Sequence, residues 1–99
     1  MAAALLFPGS LAAADRSLEP IISHIRRERV DSSALNSVGY SKRLHALEIE
    51  FHDGLVYRYK EVPVTLYRGL VAAESKARFY NRHVRGKYHC VRVKPRQEE

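Results

Sequence analysis

Apolar and polar residues alternate over Ala46–Phe51, with Leu47, Ile49 and Phe51 on one side and Glu48 and Glu50 on the other. A second alternation runs from Leu55 to Val62, setting Leu55, Tyr57 and Tyr59 against Val56, Arg58 and Lys60. His52-Asp53-Gly54 between them reads as a hairpin loop, with Gly54 suited to a positive φ. The loop length sets a register: Phe51 opposite Leu55, Ile49 opposite Tyr57, Leu47 opposite Tyr59. Glu48 then faces Arg58, a cross-strand pair that contributes a few tenths up to about 1 kcal/mol. A one-residue slip would move Glu48 and Glu50 in among the aromatics. Upstream, Leu35–Tyr40 predicts another strand, weakened or bulged at Gly39, and Ser41–His45 predicts a turn.

Beyond Val62 the period lengthens. Pro63 suits the first turn of a helix. Val64, Leu66, Tyr67, Leu70 and Val71 fill one arc of it, with Thr65, Arg68 and Ala72 away from that arc. Gly69 costs about 1 kcal/mol at mid-helix, and it lets another element come close. Glu74-Ser75 breaks the pattern. Ser75 caps a second helix of about three turns that Gly86 ends. At roughly 100° per residue, Arg78, Arg82 and Arg85 share a narrow stripe, while Ala77, Phe79, Tyr80, His83 and Val84 take the opposite arc. Tyr88–Val93 is a last short strand, ended by Pro95. The predicted order is β-β-β-α-α-β, an α+β fold with two helices on one face of a small antiparallel sheet. Tyr57 and Tyr59 share a strand face, as base-stacking residues do in sheet-based RNA binders. That face also carries Leu47, Ile49 and Phe51, so both tyrosines are assigned to the core.

The ends differ in texture. Residues 1–29 read as an N-terminal extension, partly disordered or carrying a short helix in which Ser17 caps a run with Ile21, Ile22 and Ile25. Residues 30–94 form the folded unit, opening at Val30-Asp31-Ser32-Ser33, and residues 95–99 form a polar tail. The short apolar run of Met1–Phe7 has no preceding Lys or Arg and makes a poor signal peptide. No stretch predicts a membrane span.

Charge changes this picture most. The 99 residues carry a formal net charge of +6. From Ser75 to Gln97 there are eight Lys and Arg residues and no acid. Such a field favours an anionic partner: RNA, DNA, anionic lipid or an acidic protein. Three cations along one helix face match successive phosphates, and Arg binds phosphate bidentately. The candidate nucleic-acid-binding residues are therefore Lys76, Arg78, Asn81, Arg82, Arg85, Lys87 and Arg92. The competing reading is a solvated face that keeps a small protein soluble. Cys90 is the lone cysteine, which suits a reducing, cytoplasmic setting. His83, His89 and Cys90 lack metal-ligand spacing, and no cofactor loop or catalytic constellation stands out. The expectation is a non-catalytic module with no metal and no cofactor. A protein-interaction module for an acidic partner, and a small nuclease using His83 or His89, are the alternatives.

Many spaced residues also agree with one known family at once. They are Asp31-Ser32-Ser33-Ala34-Leu35, Val38-Gly39-Tyr40, Leu47/Ile49/Phe51, Gly54, Tyr57-Arg58-Tyr59, Val62-Pro63, Tyr67 and Leu70. Ser75-Lys76, Arg78-Phe79-Tyr80-Asn81 and Val84-Arg85-Gly86-Lys87-Tyr88 continue the series. Over about residues 30–93 the chain resembles the KTSC domain, named from the C-terminus of some lysyl-tRNA synthetases and found also as a stand-alone protein in bacteria and phages. The resemblance implies a small α+β module, with RNA binding proposed from its synthetase context, and no catalytic residue. Ala77 replaces a common glycine and Ser41 a common aspartate.

Overall fold

The computed structural model describes residues 20–94. Five strands form one antiparallel sheet: β1 (Glu28–Arg29), β2 (Leu35–Ser41), β3 (Ala46–Phe51), β4 (Val56–Tyr59) and β5 (Cys90–Val93), neighbours in that order. Two helices, α1 (Val64–Ala72) and α2 (Lys76–His83), connect β4 to β5. The fold is α+β, as the periodicity predicts, with β1 as an additional strand. Residues 1–19 and 95–99, including the expected Ser17 cap and the polar tail, lie outside the described residues.

The β3–β4 hairpin has the predicted register. Leu47 pairs with Tyr59, Glu48 with Arg58 and Ile49 with Tyr57. Phe51 donates its amide to the Leu55 carbonyl at 2.9 Å, and Gly54 sits at φ 91°. Leu35, Val38, Leu47, Ile49, Tyr59 and Val62 form one buried cluster with Leu70 of α1 and Val84 just past α2. Each such side chain contributes roughly 1.5–3 kcal/mol on burial. Aromatic rings fill the space between sheet and helices. Tyr40 stacks on Tyr67 with ring centroids 5.3 Å apart, and Phe51 meets Tyr80 edge-on at 5.2 Å. The Tyr59 and Tyr80 hydroxyls are 2.7 Å apart, so neither is left unpaired. A Cβ on Gly69 would lie 2.8 Å from the Phe79 ring, so this glycine seats α2 against α1. Val71, expected on the packed arc, is exposed, because the helix turns only its Leu66–Tyr67–Leu70 side inward.

Glu48 and Arg58 belong to the far face of the sheet, and the N-terminal segment covers it. The expected helix through Ile21–Ile25 is absent; residues 20–27 run extended. The sheet edges supply the backbone partners that a helix would have supplied internally. At the β5 edge, Ile21 donates to the Arg92 carbonyl at 3.0 Å and accepts from the Lys94 amide at 2.7 Å. At the β2 edge, Glu28 pairs with Val38 and Arg29 with Ser37. The segment is thus a strap that crosses the far face from one edge to the other.

Gly39 lets it cross. A Cβ there would stand 2.1 Å from the Arg26 carbonyl oxygen, a backbone atom. The expected bulge at Gly39 lies instead between Leu35 and Ser37. Glu48, fully buried, holds the middle of the strap. Arg27 Nη1 is 2.9 Å from its Oε1, and Arg58 Nε and Nη2 are both 2.9 Å from its Oε2. The Ser23 hydroxyl donates to the same carboxylate.

Candidate nucleic-acid interface

Ser75 Oγ accepts the Arg78 amide at 3.2 Å and caps α2 as expected. The helix is shorter than the predicted three turns and ends at His83. Val84 is fully buried, and its amide and that of Arg85 both reach the Tyr80 carbonyl at 2.9 Å. The second of these bonds spans five residues, which widens the last turn. Gly86 then takes φ 72° and turns the chain away. Arg85 therefore leaves the regular helix, while its guanidinium Nη1 reaches back to Asn81 Oδ1 at 3.4 Å.

Arg78, Asn81, Arg82, Arg85 and Lys87 are all exposed. Both ion pairs among the described residues converge on Glu48. No described carboxylate is therefore within 4.0 Å of these cations.

The other two candidates sit differently. Lys76 is half-buried and donates from Nζ to the Ala73 carbonyl at 3.0 Å, capping the C-terminal end of α1. Arg92 is half-buried on β5, paired in register with Tyr57, and its Nε is buried without a hydrogen-bond partner among the described residues. The structure thus gathers Arg78, Asn81, Arg82 and Arg85 on and just past one helix, with Lys87 following. It turns Lys76 toward a helix end and leaves Arg92 on the sheet. His83, expected on the packed arc, is exposed, and its ring lies 4.5 Å from that of Phe79.

The stripe also has acidic neighbours, one of which, Asp31, is distant in sequence. Glu74 joins Ala73, Ser75, Arg78, Phe79, Arg82 and His83 in one shallow depression of about 210 Å³. Asp31 and Glu74 line an adjoining one beside Ser75 and Lys76. Acid therefore flanks the N-terminal end of α2. An anionic chain would be repelled at one end of the helix and attracted at the other.

Titration adds little chemistry here. Burial, and then the Tyr80 hydroxyl, push the Tyr59 phenol well above its ordinary range, and burial raises the Cys90 thiol. No group of three His, Cys, Asp or Glu side chains converges as a metal site among the described residues. No helix among them is long and apolar enough to cross a membrane.

Comparison with known proteins places this geometry. The family model of the KTSC domain matches residues 31–88. The chain belongs to the KTSC domain family. An uncharacterised protein of Stutzerimonas stutzeri is 39% identical over 57 residues, covering 58% of this chain and 80% of the relative. A lysine–tRNA ligase of Nostoc punctiforme is 33% identical over 58 residues, covering 59% of this chain but only 10% of the ligase. The crystal structure of a KTSC domain protein from Yersinia pestis superimposes with a TM-score of 0.67 at 34% identity, covering 71% of this chain and 99% of that one. The KTSC match takes in α2 and every candidate except Arg92. The strap and β5 lie outside it.

Proposed function

We propose that this KTSC domain is a non-catalytic RNA-binding module whose contact surface is the outer face of α2 with the turn that follows it. The observation that carries this reading is the set of three exposed arginines, Arg78, Arg82 and Arg85, with no carboxylate partner among the described residues. A solvated face normally intersperses both signs of charge. Asn81, held by Arg85, stands beside them and offers an amide to a base edge. Lys87 extends the footprint on the Gly86 side, away from Glu74. The family relationship to a lysine–tRNA ligase makes tRNA the first RNA to try.

The binding would be electrostatic first. With three to five phosphates engaged, the log–log salt slope of the affinity is about −2 to −4.5. The test is tRNA binding by the full chain and by the Arg78→Ala/Arg82→Ala/Arg85→Ala variant at several salt concentrations. The expected result is a folded variant that loses most of its affinity and whose slope is shallower by about 2–3. Unchanged retention of tRNA by the folded variant overturns the reading. A duplex DNA probe run in parallel decides between RNA and DNA.

A further inference from the structure

A second basic site lies on the other side of the molecule, where the strap meets the β2–β3 turn. A groove of about 340 Å³ there is lined by Ile22, His24 and Arg26 of the strap, by Arg43 and Leu44 of the turn, and by Arg58 beneath them. That volume is within the usual range of ligand pockets.

Its composition is one-sided in charge, and no Asp or Glu among the described residues lines it. Arg58 is committed to Glu48 at the floor. Arg26 and Arg43 are exposed, and no described carboxylate pairs with them. Ile22 and Leu44 are 69% and 42% exposed, two of the three large exposed apolar residues described.

Both apolar side chains are held outward by their surroundings. In an extended segment alternate residues face opposite ways. Ile21 is bonded to β5, Ser23 to Glu48, and Ile25 is buried, so Ile22 and His24 must point out. Leu44 sits in a turn closed by its own amide bonding to Ser41 Oγ at 3.1 Å, by His45 at φ 53°, and by the Val62 amide bonding to the His45 carbonyl at 2.9 Å. Fixed aliphatic side chains beside guanidinium groups that have no described carboxylate partner are a recognition surface in chemical terms.

We infer that this groove docks a peptide segment of a partner protein that carries acidic residues flanking an aliphatic or aromatic anchor. The anchor would lie against Ile22 and Leu44, and the acids would pair with Arg26 and Arg43. Single-stranded nucleic acid fits less well, because its bases need a free aromatic face. Of the two rings in the lining, Tyr40 is already stacked on Tyr67 with its hydroxyl bound to the Val62 carbonyl, and His24 is a single small imidazole, too little for successive bases. A lipid bilayer fits less well because the site is concave. The inference is independent of the RNA reading, since the two surfaces share no residue.

The experiment pans a displayed random-peptide library on the full chain, then measures the enriched pool on two variants, Ile22→Ser/Leu44→Ser and Arg26→Glu/Arg43→Glu. All four positions are exposed, and matching thermal melts confirm the fold. The expected result is a pool rich in Asp and Glu around Leu, Ile, Val or Phe, binding each variant at least about tenfold more weakly. The same pool should bind the Arg78→Ala/Arg82→Ala/Arg85→Ala variant as it binds the parent, which separates this site from the α2 surface. Three results overturn the inference: no enriched pool, a pool without that composition, or binding that ignores both groove variants. Groove-dependent binding of phosphatidylserine vesicles or of a ribo-oligonucleotide, without such peptides, overturns it too.

Discussion

Arg27 in the strap and Arg58 beneath it have side chains 14% and 15% exposed, each 2.9 Å from an oxygen of Glu48. Arg78, Arg82 and Arg85 stand on or just past α2, exposed and with no described carboxylate in reach. One side-chain type thus has two uses, set by burial and by the partner. A guanidinium enclosed with a carboxylate must stay paired, because separation leaves an uncompensated charge away from water. A guanidinium in solvent forfeits little by waiting for a ligand, and keeps its five donors free to receive one. The first pair should therefore govern stability and the second set binding.

The hardest way to break this division is Glu48→Ala. It strands two part-buried guanidinium groups and releases the strap. Chemical denaturation should show a loss of about 3–5 kcal/mol. A loss below about 1 kcal/mol would mean that the strap is held elsewhere. Next come two glycine substitutions, one for each face. Gly39→Ala forces a methyl against strap backbone and should cost about 1–3 kcal/mol, with faster proteolysis near Arg26 and Arg27. Gly69→Ala meets only the tip of the Phe79 ring and gains helix propensity, so its net effect should stay within about 1 kcal/mol. If the two were equal, the strap would be less firmly seated than its contacts imply.

A pH test addresses the helix-covered face. The Tyr59 phenol is raised in the folded state, so it keeps its proton where the unfolded chain loses it. The stability it adds is fully present below the ordinary phenol range and falls as pH rises above about 10, by up to about 1.4 kcal/mol per pH unit. Urea melts at rising alkaline pH should show this slope flattened in Tyr59→Phe. The smallest expected effect on stability is that of the triple α2 variant, within about 0.5 kcal/mol of the parent. A larger loss would show those arginines to be structural after all.

The hairpin was legible because three signals agreed: alternation, a three-residue loop and the Glu48–Arg58 pair. The same holds for α2, where the Ser75 cap and the arginine spacing coincide. What was not legible lies where backbone pairing overrides periodicity. Ile21, Ile22 and Ile25 have near-helical spacing, yet two open sheet edges offered their backbone better partners than a short isolated helix could. The burial of Glu48 was hidden for the same reason. Alternation assigns it to the polar face, but only the strap encloses that face. Arg85 left the helix because burying Val84 pulls the last turn inward. Asp31 beside α2 is a product of folding, because nothing in its sequence position brings it there, whereas Glu74 directly precedes the Ser75 cap. Lys76 and Arg92 have no charge pattern to distinguish them from the free cations; only their burial does.

The strap also orders events in time. Ile21 exchanges its backbone bonds with Arg92 and Lys94, near the far end of the described chain. The β3–β4 hairpin can close over a few residues, on the order of microseconds. The strap must wait for nearly the whole domain to be synthesised and its last strand added before it has somewhere to lie. A large loop closes only at an entropic cost, so this contact belongs to the late side of the folding barrier. Until then Gly39, Glu48 and Arg58 face water. During that interval the nascent chain presents an open sheet face that the finished protein conceals.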